Sequence, residues 1–163
     1  MRRIISRQQI VADDWRYPGD DATAGPVARS ILPLVEFVAQ FAPGATAVAR
    51  GVQLSPPDAV ETLAPHLQHV ELVAIVFTSV GEGRGYTQGR LLRERFRYTG
   101  ELRATGGAKR DQLYFLARCG FDSFDLPPSE DLDAALAHLH RFSVAYQRTT
   151  GDLPHPAGRA LNT

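Results

Sequence analysis

The run VELVAIVF, Val70 to Phe77, is the segment that most narrows the folds open to this chain. After Glu71 it is wholly apolar and rich in β-branched residues, so neither face of a strand built from it meets water. Such a strand belongs in the interior of a sheet covered on both sides. In a chain that also carries helical patterns, this points to parallel strands joined by helices.

The segments around it alternate in the required way. ATAVARGVQL reads as a strand, and Ser55 with Pro56-Pro57 introduces the short helix DAVETLAPHL, since proline's fixed φ suits a first helical turn. Thr87 is the expected N-cap of a helix with Leu91, Leu92 and Phe96 on one face. GELRAT is the next strand. KRDQLYFLARC places Leu113, Leu116 and Cys119 on an inward stripe, with Gly120 as a left-handed stop. FDSFDL is another strand, and the last helix turns Leu132, Leu136, Leu139, Phe142 and Tyr146 inward. Upstream, RRIISRQQIVADDWRY reads as a short strand or hairpin. ILPLVEFVAQF reads as a helix ended by Pro43-Gly44.

This order predicts a single α/β domain over residues 1–148, with a mainly parallel sheet of about five strands, open or partial-barrel-like. Residues 17–30, rich in Pro, Gly and Asp, are an expected mobile loop, and 149–163 an expected flexible tail. The length of 163 residues suits one core. No apolar run approaches the ~20 residues needed to cross a bilayer. The N-terminal stretch lacks the pattern of a secretory signal, and Cys119 is the only cysteine, so no intrachain disulfide is expected. Both features favour a cytoplasmic protein.

In such a sheet ligands bind beyond the carboxyl ends of the strands. Two loops there draw attention. VGEGRGYTQGR carries Gly81, Gly83 and Gly85 ahead of a helix whose free N–H groups and dipole suit an anion. It is neither a dinucleotide fingerprint nor a Walker A loop, because Tyr86 stands where either motif needs glycine. ATGGAKRDQ offers Gly106, Gly107, Lys109 and Arg110. The candidate anion- or partner-binding set is therefore Arg84, Gly85, Thr87, Arg103, Thr105, Gly106, Lys109, Arg110 and Asp111. Set against it is the plain reading of these glycines as turn residues.

Charge adds to the case. The formal net charge is zero, yet residues 84–118 hold nine basic side chains against three acidic ones. That segment forms a positive surface for an anionic ligand or acidic partner, or simply a solvated arginine coat. Its aromatic residues (Tyr86, Phe96, Tyr98, Tyr114, Phe115) are spaced for packing, so a nucleic-acid partner is not expected. The pairs His66/His69 and His138/His140 lack further ligands at metal spacing. Cys119 reads as a core residue. No cofactor is identified by any motif.

The segments GRGYT, LLRER, GELRA, RDQL and RCGFD, in this order and spacing, together with ADDWRY and FSVAYQ, resemble the DUF934 family of bacterial proteins, whose members are often labelled oxidoreductases of sulfite reduction. The chain departs from the family pattern at TSVGEGRGY, without the usual lysine, and at GGAKRDQ, without the usual Asp-Val-Leu. The resemblance implies a role in sulfur assimilation beside a sulfite or nitrite reductase haemoprotein. Two classes of function follow as expectations. One is an accessory protein that docks to the reductase or to its electron donor through the arginine-rich face. The other is a small-molecule enzyme or binding protein with a phosphate, sulfite or nucleotide near Arg84, Thr105, Lys109, Arg110 and Asp111.

Overall fold

A computed structural model describes residues 2–20, 29–78 and 83–141. Residues 21–28 of the expected mobile loop, Gly81, Phe142, Tyr146, FSVAYQ and the tail 149–163 lie outside the described residues. Strands β1 (Arg3–Ser6) and β2 (Gln9–Ala12) form a hairpin. There follow β3 (Ile31–Pro33), α1 (Leu34–Ala39), β4 (Gly51–Leu54), α2 (Val60–Leu63), β5 (Leu72–Phe77) and α3 (Arg84–Glu94). The chain continues through β6 (Glu101–Gly106), α4 (Leu113–Arg118), β7 (Ser123–Phe124) and α5 (Leu132–Arg141). One seven-stranded sheet takes the order β2-β1-β7-β6-β5-β4-β3. Strands β3 to β7 are parallel neighbours in sequence order, and the hairpin adds two antiparallel strands at the β7 edge. The expected α/β domain is present, and its sheet does not close.

The two faces of the sheet are unlike. Val52, Leu54, Val73, Ile75, Phe77, Leu102, Ala104 and Phe124 share one buried cluster with residues from all five α-helices. The intervening side chains of β5, Leu72 and Ala74, belong instead to a small cluster with Trp15 and Ile31 that contains no helix residue. Period-two alternation along β5 thus feeds a thick helical layer on one side and a thin cover from the N-terminal segment on the other. Gly51 makes that cover possible, because a β-carbon there would come within 2.9 Å of the Trp15 ring.

Three expectations need correction. Residues 31–33 are a strand, because Ile31 and Leu32 align with Gly51 and Val52 of β4; the helix begins only after Pro33, whose missing N–H costs nothing there. The strand expected from Ala45 is confined to Gly51–Leu54. Thr87 is not an N-cap: α3 starts at Arg84 with Gly83 in the capping position, and the Thr87 hydroxyl points back to the Gly83 carbonyl at 3.5 Å.

The reason lies in Gly85 and Gly89, which are helical packing residues rather than loop residues. A β-carbon at Gly85 would lie 2.7 Å from the Phe77 ring, and one at Gly89 would lie 2.5 Å from the ring of Phe121. Phe121 is buried and packs edge-on to Phe77 at 5.8 Å, so it has little room to yield. Gly89→Ala should therefore destabilise the domain by up to about 2 kcal/mol in urea unfolding. The overpacking cost of ~1–3 kcal/mol exceeds the ~1 kcal/mol gained in helix propensity. A more stable variant would show that the contact is slack.

Candidate functional site

The carboxyl ends of β5 and β6 are adjacent, and the first turn of α3 lies beside the connection that follows β6. Gly106 has φ +81°, and a β-carbon there would lie 2.8 Å from the Phe77 carbonyl oxygen. Gly107 donates its N–H to that same carbonyl. Both glycines are thus required by the approach of one loop to the other strand. Farther out, the Gln112 side chain takes the Lys109 N–H at 2.9 Å and donates to the Tyr86 hydroxyl at 3.0 Å, tying the start of α4 to the first turn of α3. Around this junction Arg84, Thr87, Lys109, Arg110 and Asp111 are all exposed. Gly85 is buried against Phe77.

Arg103 and Thr105 lie elsewhere. They sit at alternate positions of β6 on the helix-free face, where both are buried. The Arg103 guanidinium donates to both Asp13 carboxylate oxygens at 3.0 Å, to Glu101 at 2.6 Å, to the Tyr17 hydroxyl at 2.7 Å and to the Ser123 hydroxyl at 3.1 Å. Burial works against its charge, but Tyr17, Glu101 and Asp13 outweigh that and raise its pKa further. Burial likewise pushes the Tyr17 phenol up. Arg103 is therefore committed to acidic side chains of its own chain and is not aimed at an external anion.

One residue farther along the same face, the Thr105 hydroxyl donates to Asp125 at 3.0 Å. Burial raises the Asp125 pKa against the lowering effect of that bond. Tyr17, Thr105 and Asp125 all border an open cavity of about 570 Å³ at the carboxyl edge. Its rim carries Arg2 and Arg3, and the β7–α5 connection supplies its far wall through Leu126, Pro127 and Leu132.

The arginine-rich segment divides in the same way. Arg93 is buried and donates to the backbone carbonyls of Tyr98 (2.6 Å), Gly100 (2.8 Å) and Gly120 (3.0 Å), clamping the end of α3 to two turns. Arg90 and Arg95 form exposed ion pairs with Glu94 and Glu61. Cys119 is buried, and burial pushes its thiol pKa up, which leaves less thiolate for chemistry at neutral pH. His66 and His69 stack on Phe41. Among the described residues no group of side chains has the make-up of a metal site, and no helix is long and apolar enough to cross a membrane.

Sequence reasoning missed Asp13, Tyr17 and Asp125. The available signal was the alternation of Glu101, Arg103 and Thr105 in GELRAT, which makes one face of an interior strand polar. Residues 51–156 match the model of DUF934, a bacterial protein family of unknown function. The match covers well over half of the chain, and the protein belongs to that family. No curated protein matches the chain.

Proposed function

We propose that this DUF934 member is a cytoplasmic accessory protein of assimilatory sulfite reduction, docking to the sulfite or nitrite reductase or to its electron donor. The observation that carries the reading is the set of exposed basic side chains Arg84, Lys109 and Arg110, from the start of α3 and the adjacent β6–α4 connection at the carboxyl edge of the sheet. Complementary charge of this kind speeds encounter and sets orientation more than it adds affinity. The link to sulfite reduction rests on the family resemblance.

The test is affinity capture of the sulfite reductase from native lysate with wild-type protein and with the Arg84→Ala/Arg110→Ala double variant. The wild type should retain the reductase or its donor, and the double variant should lose most of it at physiological salt. Exposed substitutions of this sort cost under about 0.5 kcal/mol each, so both proteins should melt alike. Equal capture by the two proteins, or none by the wild type, would remove the docking surface.

A second reading, a small-molecule-binding protein, is favoured by the cavity beside Tyr17, Thr105 and Asp125. The sequence alone suggested an anion for such a site. Among the described residues lining this cavity, Asp125, Glu130, Asp131 and Asp133 outnumber Arg2 and Arg3, which disfavours a simple anion.

A further inference from the structure

The cavity at the carboxyl edge of the sheet has a polarity of its own. Buried Thr105 and partly buried Asp125 form a hydrogen-bonded pair on its lining. The Asp125 oxygen Oδ2 accepts the threonine hydroxyl, while Oδ1 has no hydrogen-bond partner among the described residues. Beside it the Tyr17 hydroxyl already accepts a bond from Arg103, so its own proton remains to be donated. Arg103 itself is neutralised by Asp13 and Glu101. Asp125 thus keeps one oxygen without a described donor on the cavity lining, although the charges of Arg2 and Arg103 act on it and only partly offset its burial.

The rim carries the opposite sign. The Arg2 guanidinium is held over the Tyr17 ring at 4.2 Å and lies 3.8 Å from Asp20. Arg3, next to it, has no ion-pair partner among the described residues. Asp131 is occupied in capping α5, its Oδ1 accepting the N–H of Asp133 and of Ala134. Leu126, Pro127 and Leu132 give the remaining wall an apolar character.

We propose that this cavity binds a small zwitterion of the amino-acid type, with its ammonium group against Asp125, its carboxylate against Arg2 or Arg3, and its side chain along the Leu126–Leu132 wall. An ammonium group gives Oδ1 a charge-assisted donor in a partly buried setting. A positioned guanidinium at the rim suits a planar carboxylate. The excess of carboxylates over cations rejects anions that bring no positive charge. The volume of about 570 Å³ falls within the range of ordinary small-molecule sites. This site shares no residue with the basic docking cluster, so the two proposals stand or fall separately.

The experiment is calorimetric titration of the full chain with the proteinogenic amino acids, each added singly, then with the N-acetyl and methyl-ester derivatives of whichever binds best. At least one free amino acid should bind saturably with one site per chain. Acetylation, which removes the ammonium charge, and esterification, which removes the carboxylate, should each weaken binding about 10-fold or more, the factor expected for a lost charged hydrogen bond. Asp125→Asn should weaken it similarly while keeping an acceptor for Thr105. Should that variant fold poorly, Arg2→Ala/Arg3→Ala at the exposed rim provides the same test without touching the interior. The proposal is overturned if no free amino acid binds up to about 10 mM. It is equally overturned if sulfite or phosphate binds as well as the best amino acid, or if neither variant changes the affinity.

Discussion

Arg103→Ala is expected to destabilise the domain by about 3–5 kcal/mol, read as a lower urea midpoint and a fall in Tm of roughly 10 °C. The Arg103 and Asp13 side chains are 2% and 1% exposed. Truncating the arginine leaves the buried Asp13 carboxylate, among the described residues, with the Trp15 N–H at 3.2 Å to serve it, and takes from Glu101 its 2.6 Å partner. Water cannot readily replace what is lost, and an uncompensated buried charge is among the few single changes that remove a large part of a domain's ~5–15 kcal/mol stability. Arg103→Lys should rescue little, because one ammonium cannot reproduce the fork that reaches Asp13, Glu101, Ser123 and Tyr17 together. Arg103→Met combined with Asp13→Leu should recover much of the loss, since an apolar pair avoids desolvation altogether. If Arg103→Ala unfolds at the wild-type midpoint, the carboxylates have another source of stabilisation and the cluster is not a structural unit.

That cluster also explains how far the sequence could be read. The layered fold was legible wherever burial imposes a period. β5 shows as an unbroken apolar run because helices cover one side and Trp15 the other. α4 shows as a stripe ended by Gly120, which has the left-handed φ of +98° that such a stop requires. What escaped was either too short or too distant. A three-residue β3 running straight into α1 leaves no room for period two to register. Gly85 reads as a loop residue and Gly89 carries no signal, because their need for close contact comes from Phe77 and Phe121 on other elements. The Arg103–Asp13 contact joins residues 90 positions apart, so no local pattern announces it. The polar face of GELRAT did announce that something must satisfy Arg103. The sequence does not say what, so Arg103 falls in the candidate anion- or partner-binding set, whereas its hydrogen-bond partners in the structure lie within the chain.

Deleting the gene for this protein is expected to impair growth on sulfate or sulfite as sole sulfur source and to leave growth on cysteine unaffected. The prediction follows from the proposed accessory role, which places the protein's contribution upstream of cysteine. A Cys119→Ser protein should restore growth, because Cys119 packs in the core with Leu113 and Leu116 and its thiol is held protonated by burial. The substitution still buries a hydroxyl, at a cost of about 1–3 kcal/mol if unpaired, so protein abundance must be measured beside growth. The Arg84→Ala/Arg110→Ala protein, by contrast, should fold normally and fail to restore growth on sulfite, since it lacks the docking charge and nothing of the core. The pattern of the two complementations separates chemistry at the thiol from contact at the surface. A well-folded, abundant Cys119→Ser protein that fails on sulfite would make the thiol a reactant and displace the accessory reading. Normal growth of the deletion strain on sulfite would detach the protein from sulfur assimilation, leaving the Asp125 cavity as the feature from which its function must be sought.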